Sequence, residues 1–512
     1  METARQKIMF LTNSDYGQAN VVLSIAYVIV RSSPRIEVHI ASQSKLKEPM
    51  ARLVKQVAAD IGSAAADALV FHQLIGLSHF DSIDTPGSPG FAPWMTVPSF
   101  INVTRNMLDF ANLLLPWSVE GFVEIYRDID RVWNEVKPDV TVSEAMFAPA
   151  LTFCKSNKMK WIALAPNTIK EFALPLQPRL GMLWKFPMTS TSFPYPVPLH
   201  LIPLNVFYTI VAGVIVSTSK RQSQISEHLH RAIDPKIEVF TITHMGLMKA
   251  PPEGLRVLVA NSPDIDFPFE VIPNFITPCG PITLASPPIS DGSQDPELAG
   301  WLSRGPTVYM NLGTHHLFDI SLAREAALAF RYLLDEAQVS QHHRKLQILW
   351  KMPRKSSEGD HTDPSSTEFL GPWQEIKAIL GSEIDRDQVR IVNWITAEPK
   401  SVLESGHVVL AINHGGANSF HEALCTGIPQ VILPGWLDCY DFAQRCEILG
   451  IGKWANRKAK PYWERNELGE GLVDTLLGPE AGAMKARAKE LGDRHPEGAG
   501  REKAAREILA LL

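Results

Sequence analysis

Short apolar runs of strand length alternate with helix-length segments along most of this chain, and that order leaves few architectures open. Lys7 to Thr12 is an apolar run, Asn13 to Asn20 a polar turn containing Gly17, and Val21 to Val30 an apolar helical segment. A second strand follows at Ile36 to Ala41. The pattern returns with a strand at Asp139 to Val142, a helix at Ala145 to Lys155 and a strand at Trp161 to Ala165. Strands joined through helices build a parallel sheet with helices on its faces. Pro278 to Pro296, rich in proline, glycine and serine, has the composition of a linker. Beyond it the alternation restarts, with strands at Thr307 to Asn311, Leu346 to Lys351, Val389 to Val392, Val408 to Ile412 and Gln430 to Leu433, and helices at Leu322 to Leu334 and Asn418 to Cys425. Two α/β domains of similar size are expected, and 512 residues suffice for a core in each.

The interruptions matter as much as the pattern. Asp84 to Trp117 and Phe172 to Leu204 are rich in proline and aromatic residues and are expected to be long loops, a length that usually serves function. Lys355 to Thr367 is polar and serine-rich, as a surface loop would be. Leu199 to Val216 is apolar enough to approach a membrane span, but it contains His200, Pro203 and Asn205. It is expected to be a buried helix with its entry loop, the alternative being an interfacial patch that touches lipid. A net charge of -6, from 49 basic against 55 acidic residues, gives no footprint for nucleic acid. The five cysteines are odd in number and include no C-x-x-C pair, which suits reduced thiols in the cytoplasm. Ile8 to Thr12 is too brief for a signal-peptide core, so neither a leader nor use of the Asn102-Val103-Thr104 sequon is expected, and no transmembrane anchor is expected at the C-terminus.

The most informative string is Asn413-His414-Gly415-Gly416-Ala417-Asn418-Ser419-Phe420-His421-Glu422-Ala423-Leu424-Cys425-Thr426-Gly427-Ile428-Pro429, directly after the apolar run Val408 to Ile412. Gly415 and Gly416 let the backbone turn tightly, and Asn418-Ser419 opens a helix whose free N–H groups point back toward the strand end. A helix start carries roughly half a positive charge and unpaired donors, so it can hold a pyrophosphate without metal, with His414, Asn418 and Ser419 adding donors. Glu422, one turn further on, can accept from ribose hydroxyls. On its glycines alone, the string fits a turn capping a buried helix equally well.

Taken whole, with Trp394 upstream and Pro434-Gly435-Trp436-Leu437-Asp438 downstream, the string resembles the donor-binding signature of the UDP-glycosyltransferases that glycosylate small molecules, and fungal members above all. Matches are dense from Val389 to Gly452, with fragments at Thr307 to Thr314, at Leu346 to Lys351 and near the N-terminus. The resemblance implies an α/β chain of the GT-B fold, two Rossmann-like domains facing each other across a cleft. Residues 1–280 would form the acceptor domain, 281–300 the linker, 301–480 the nucleotide-sugar domain and 481–512 a helical segment crossing back to the first domain. It further implies that Trp394 stacks on uracil, that His414, Asn418 and Ser419, around the Gly416 turn, contact the diphosphate, and that Glu422 holds the ribose. Asp438 would contact sugar hydroxyls, and Gly313-Thr314 would touch phosphate.

The departures fall at informative places. The family's Trp-x-Pro-Gln is here Trp394-Ile395-Thr396-Ala397, which removes one ribose contact. Cys439 follows Asp438 where a glutamine usually grips the hexose, so the sugar-binding set is altered, with Trp436, Tyr440 and Asp441 as neighbours able to compensate. Many relatives carry a histidine as general base in the first turn, and here Gln18 stands in its place. An amide takes no proton at neutral pH, which leaves Asp15 as the first candidate base. Glu144 matches the acidic residue that pairs with the missing histidine. His315 and His316 follow the phosphate loop and are expected to face solvent, cleft-facing being the alternative. His414 and His421 do not share a helix face, because the glycines put His414 in the turn, so no metal site is expected.

The expected activity is metal-independent, inverting transfer of a hexose from a UDP-sugar to a hydroxyl of an apolar small molecule (a terpenoid, sterol or polyketide) in secondary metabolism. The UDP-sugar is a co-substrate, and no cofactor or nucleic-acid partner is expected. Peripheral membrane contact is confined to the neighbourhood of 199–216. Two alternatives share the donor site: a non-catalytic nucleotide-sugar-binding protein, suggested by Gln18 and Cys439, and a nucleotide-sugar epimerase, which would not need the long insertions.

Overall fold

In the computed structural model, which describes residues 5–85, 90–314, 316–340, 345–355 and 369–512, the apolar runs pair into two parallel sheets. The first contains β1 (Lys7–Leu11), β2 (Glu37–Ser42), β3 (Leu69–Gln73), β4 (Val140–Glu144), β5 (Trp161–Ala165), β6 (Val257–Val259) and β7 (Ile276–Pro278), in the order β3-β2-β1-β4-β5-β6-β7. The second contains β8 (Thr307–Met310), β9 (Gln347–Lys351), β10 (Val389–Val392), β11 (Val408–Asn413), β12 (Gln430–Ile432) and β13 (Gly452–Trp454), in the order β10-β9-β8-β11-β12-β13. Central strands such as Ile8–Leu11 are wholly buried, as continuous apolar runs covered by helices on both faces should be.

Each sheet reverses its winding once, between β1 and β4 in the first and between β8 and β11 in the second. At such a point the connecting helices leave on opposite faces, and a crevice opens beyond the carboxyl ends of the two strands. Register puts those ends level: Leu11 pairs with Ser143, and Met310 with Ile412. Residues just after β1 and β4 therefore emerge side by side, as do those just after β8 and β11.

The chain divides into two compact units. The first holds the chain up to Trp94, Ser99–Ala285 and Gly498–Leu512; the second holds Met95–Pro98 and Ser286–Glu497. Helix Tyr16–Ser32 has twelve of its seventeen residues buried. It lies under helix Ala499–Leu509 as well as on the sheet, which explains apolar residues on every side, and Arg31 Nη2 donates to Glu502 Oε1 at 2.9 Å across the helix pair.

Several expectations are corrected. The polar turn Asn13 to Asn20 is shorter than expected, because the helix begins at Tyr16 with Asp15 at its N-cap, placing Gln18 in the first helical turn. The stretch Asp84 to Trp117 carries the helix Phe100–Leu114, and Phe172 to Leu204 is broken by short helical turns, while 185–198 has no helix, as expected of a loop. Ser99 Oγ caps helix Phe100–Leu114 by accepting from Asn102 N–H at 3.3 Å, and Pro203 sits in the first turn of helix Ile202–Ser217, so prolines here mark helix starts. That second helix has only four of its sixteen residues buried, Asn205, Tyr208, Ala212 and Val216, where a buried helix is the expectation. The linker is not a free spacer: Ile282 and Ala285 pack in the first unit's core, Ile289 packs in the second's, and helix Pro296–Leu302 begins within it. Helix Ala481–Arg494 stays with the second unit, where Gly492 lies so close to Gly427 that a Cβ would come within 2.9 Å of its nitrogen. Only Gly498–Leu512 returns to the first. Apart from Lys355, the polar stretch to Thr367 lies outside the described residues.

Candidate active site

In the second unit the turn after β11 is built by Asn413. Its Oδ1 accepts from Gly415 N–H at 2.8 Å and its Nδ2 donates to Gln430 Oε1 at 2.9 Å. Gly415 has φ of +80°, and a Cβ there would meet the Cys439 carbonyl oxygen at 2.8 Å. At Gly416 a Cβ would come within 2.8 Å of His414 Cε1, so the imidazole folds over the start of helix Ala417–Cys425. The first backbone bond of that helix runs from Phe420 N–H to the Gly416 carbonyl at 3.0 Å, and no side chain caps it. The N–H groups of Ala417, Asn418 and Ser419 thus lie outside its ladder, at the positive end of the helix. The Asn418 and Ser419 side chains stand beside them, part-exposed.

The loop after β8 reaches the same place. Gly313 N–H donates to Asn311 Oδ1 at 3.1 Å, and a Cβ on Gly313 would be 3.0 Å from the His414 ring. Thr314 is exposed next to it. His316 is buried rather than facing solvent, because its ring stacks on Trp436 with centroids 4.7 Å apart, and Trp436 lies 5.6 Å from His414. His315 lies outside the described residues.

Lys351, at the end of β9, went unnoticed in the sequence. Its Nζ donates to the Gly313 carbonyl at 3.2 Å and sits 4.0 Å from the centroid of Trp394, and burial brings its pKa down to about 8. The Trp394 ring itself is 62% exposed, with a face open for stacking. Glu422 is buried behind the helix start, and burial, with Glu398 adding repulsion, pushes its carboxyl up to about 8. Asp438 sits at the N-cap of helix Cys439–Ile448. The Cys439 thiol is buried and held neutral by desolvation, and Tyr440 is spent on the fold, its hydroxyl directed at the Gly435 carbonyl. Asp441 is buried too, and Trp436 adjoins the His414 ring.

The first unit assembles a second polar cluster at its own switch point. Asn13, just past β1, donates from Nδ2 to Glu144 Oε2 at 3.0 Å and accepts at Oδ1 from His79 N–H at 3.2 Å. Glu144 Oε1 also accepts from Met146 N–H at 2.7 Å. Burial, reinforced by repulsion from Asp15, pushes the Glu144 carboxyl up to about 8, so Glu144 keeps its proton at neutral pH. Asp15 Oδ1 accepts from Ser78 Oγ at 3.0 Å and Oδ2 from Phe80 N–H at 3.2 Å. The loop that holds Asp15 is aromatic: His79 lies edge-on to Trp117 and Phe80, and Phe80 packs on Phe91. His79 is buried and neutral, its pKa brought down to about 4 by desolvation. Gln18 Oε1 is shielded from solvent with no hydrogen-bond partner among the described residues.

No protein-family model matches the chain. It is 30% identical over 504 residues to the glycosyltransferase sdnJ of Sordaria araneosa, a match covering 95% of this chain and 91% of that protein. It is 26% identical over 206 residues to the UDP-glycosyltransferase stmC of Aspergillus ustus, covering 40% and 35% of the two chains. A UDP-glucosyltransferase from Polygonum tinctorium, capable of glucosylating indoxyl, superposes with a TM-score of 0.61 over 99% of each chain at 13% identity. The two doubly wound units are those of the GT-B fold. The chain belongs to the UDP-glycosyltransferases, and it is an enzyme that transfers a sugar from a UDP-linked donor.

Proposed function

We propose that this enzyme moves a hexose to a hydroxyl of an apolar small molecule of the terpenoid, sterol or polyketide kind, with inversion at the anomeric carbon and without a metal or cofactor. The observation that carries this reading is the bare start of helix Ala417–Cys425, with three N–H groups outside its ladder beside His414. As the bond from the sugar to UDP breaks, negative charge grows on the diphosphate, and fixed donors with a helix dipole stabilise it there. Asn418, Ser419 and the Gly313-Thr314 loop add donors. Trp394 stacks on uracil, Glu422 holds the ribose and Asp438 holds sugar hydroxyls.

In the first unit Asp15 takes the acceptor proton while the acceptor oxygen attacks the anomeric carbon from the face opposite UDP. One displacement turns an α-linked donor into a β-linked product. Ser78 and Phe80 orient the Asp15 side chain, and the raised pKa of Glu144 keeps that neighbouring carboxyl from acting as a competing base at neutral pH. The aromatic loop around Asp15 favours an apolar acceptor. A cytosolic place fits the five free thiols, and the fungal glycosyltransferase relatives support a role in secondary metabolism.

The test is incubation of the purified enzyme with UDP- and GDP-sugars and a panel of apolar alcohols, following nucleotide release, product mass and anomeric configuration. The reading expects UDP released in step with a β-glycoside. An α-glycoside, or turnover with GDP-sugars alone, would overturn it.

A further inference from the structure

Helix Ile202–Ser217 contains no charged residue, yet only 17% of the most apolar window in the Leu199–Ala232 segment is buried. Surface helices ordinarily turn polar residues outward. This one turns out Phe207, Ile210 and Val214, on one helical stripe and 40–54% exposed, preceded by Leu199 at 86%. Phe100, from the helix Phe100–Leu114 packed beside it, extends the face by stacking on Phe207 at 5.9 Å, and exposed Ile101 continues it. A contiguous apolar face of this kind marks an interaction surface.

Two observations point to lipid rather than protein. First, the hydroxyls on these helices turn back onto their own backbones: Thr104 donates to the Phe100 carbonyl at 2.7 Å, and Thr209, Ser217 and Thr218 donate to those of Asn205, Gly213 and Val214 at 2.8 Å. A protein partner would need roughly one hydrogen bond per 100–200 Å² of interface, and this face withholds them. Second, the segment itself is basic. From Leu174 through Ser226 the chain has Arg179, Lys185, Lys220 and Arg221 but no aspartate or glutamate, in a protein whose net charge is -6. Lys185 is paired with Glu270 at 3.0 Å, and Asp109 and Glu227 are the acidic residues on the adjoining helices. Arg179, Lys220 and nearby Arg105 are exposed.

The helix is tied to the protein in a way that does not suit crossing a membrane. Asn205, buried on its inner side, accepts from Met188 N–H at 2.8 Å and donates to the Leu183 and Phe186 carbonyls at 2.9 Å, while Tyr208 and Ala212 pack on Val103 and Met107. Its 16 residues also span about 24 Å, short of the ~30 Å hydrocarbon core. We propose that this face docks on an anionic leaflet, with Phe207, Ile210 and Val214 entering the acyl boundary and Arg105, Arg179 and Lys220 meeting lipid phosphates.

The test is co-sedimentation of the full-length protein with phosphatidylcholine vesicles with and without phosphatidylserine. Binding should be tighter with phosphatidylserine and weaken with salt. Ile210→Glu with Val214→Glu should lower partitioning roughly tenfold or more while the circular dichroism spectrum stays unchanged. Should that variant not fold, quenching by brominated lipid of Trp184, 39% exposed on the short helix Gly181–Trp184 that packs against Ile202–Ser217, read as the difference between wild type and Trp184→Phe, decides instead. A wild-type protein that sediments with neither vesicle and shows no quenching overturns the proposal. A concentration-dependent dimer that forms through this face and leaves the protein unable to bind vesicles overturns it equally.

Discussion

Glu422 ties donor binding to a proton. With no donor bound, its carboxyl titrates at about 8, because burial opposes the charged form and Glu398 adds repulsion, so it is neutral at pH 7. Ribose hydroxyls donating to the carboxylate favour the charged form and lower that pKa. Binding therefore releases a proton whenever the pH lies between the bound and free values, and affinity rises with pH by up to about tenfold per unit, levelling off above the free value near 8. Between pH 6 and pH 8 the gain is at most about 100-fold, or about 2.7 kcal/mol. Isothermal titration calorimetry with a UDP-hexose, whose diphosphate diester does not titrate in this range, measures both quantities when run in buffers of different ionisation enthalpy. Glu422→Gln should flatten the pH dependence and abolish proton release. A wild-type affinity that does not change with pH, or a Glu422→Gln enzyme that keeps the slope, would refute the placement of the ribose on Glu422.

Gly416→Ala should push the His414 ring off the helix start, since the new Cβ would stand 2.8 Å from its Cε1, and should weaken UDP-hexose binding about tenfold or more with little change in melting temperature. Lys351→Met, which removes the cation 4.0 Å from the exposed Trp394 ring, should raise the donor KM about threefold and leave kcat unchanged. Thermal stability should pass through a maximum on the acid side of neutrality. His79, depressed to about 4 in the fold, adds stability as the pH rises from about 4 to its unfolded value near 6.5 and none beyond, whereas Glu144 and Glu422, raised to about 8, lose theirs as the pH climbs toward 8. A melting temperature that keeps rising from pH 6.5 to 8 in differential scanning fluorimetry contradicts those burial arguments.

What could be read in advance was local. The donor turn runs continuously from Asn413 to Glu422, so strand, glycines and helix start are adjacent in the chain and their geometry follows from backbone chemistry. Lys351 was invisible because its partners, Gly313 and Trp394, follow β8 and β10, and only strand order brings the three together. The Asn13–Glu144 pair likewise depends on β1 lying beside β4. The proline-rich insertions misled because Pro98, just before the Ser99 cap, and Pro203 favour helix starts as readily as loops. Strands β6, β7 and β13 are three residues each, too short to show a period, and β12, equally short, is legible only because it directly follows the donor-binding string. Helix Ile202–Ser217 has an open face where burial is expected, because apolar composition reports what avoids water without reporting what covers it.

The central claim is that Asp15 supplies the base that Gln18 cannot. Rapid-quench measurement of a single turnover by wild type and Asp15→Asn, with donor affinity determined alongside, addresses it directly. The account predicts a loss of about 100-fold or more in the transfer rate, with UDP-hexose affinity unchanged. An Asp15→Asn enzyme that transfers sugar at the wild-type rate would contradict it.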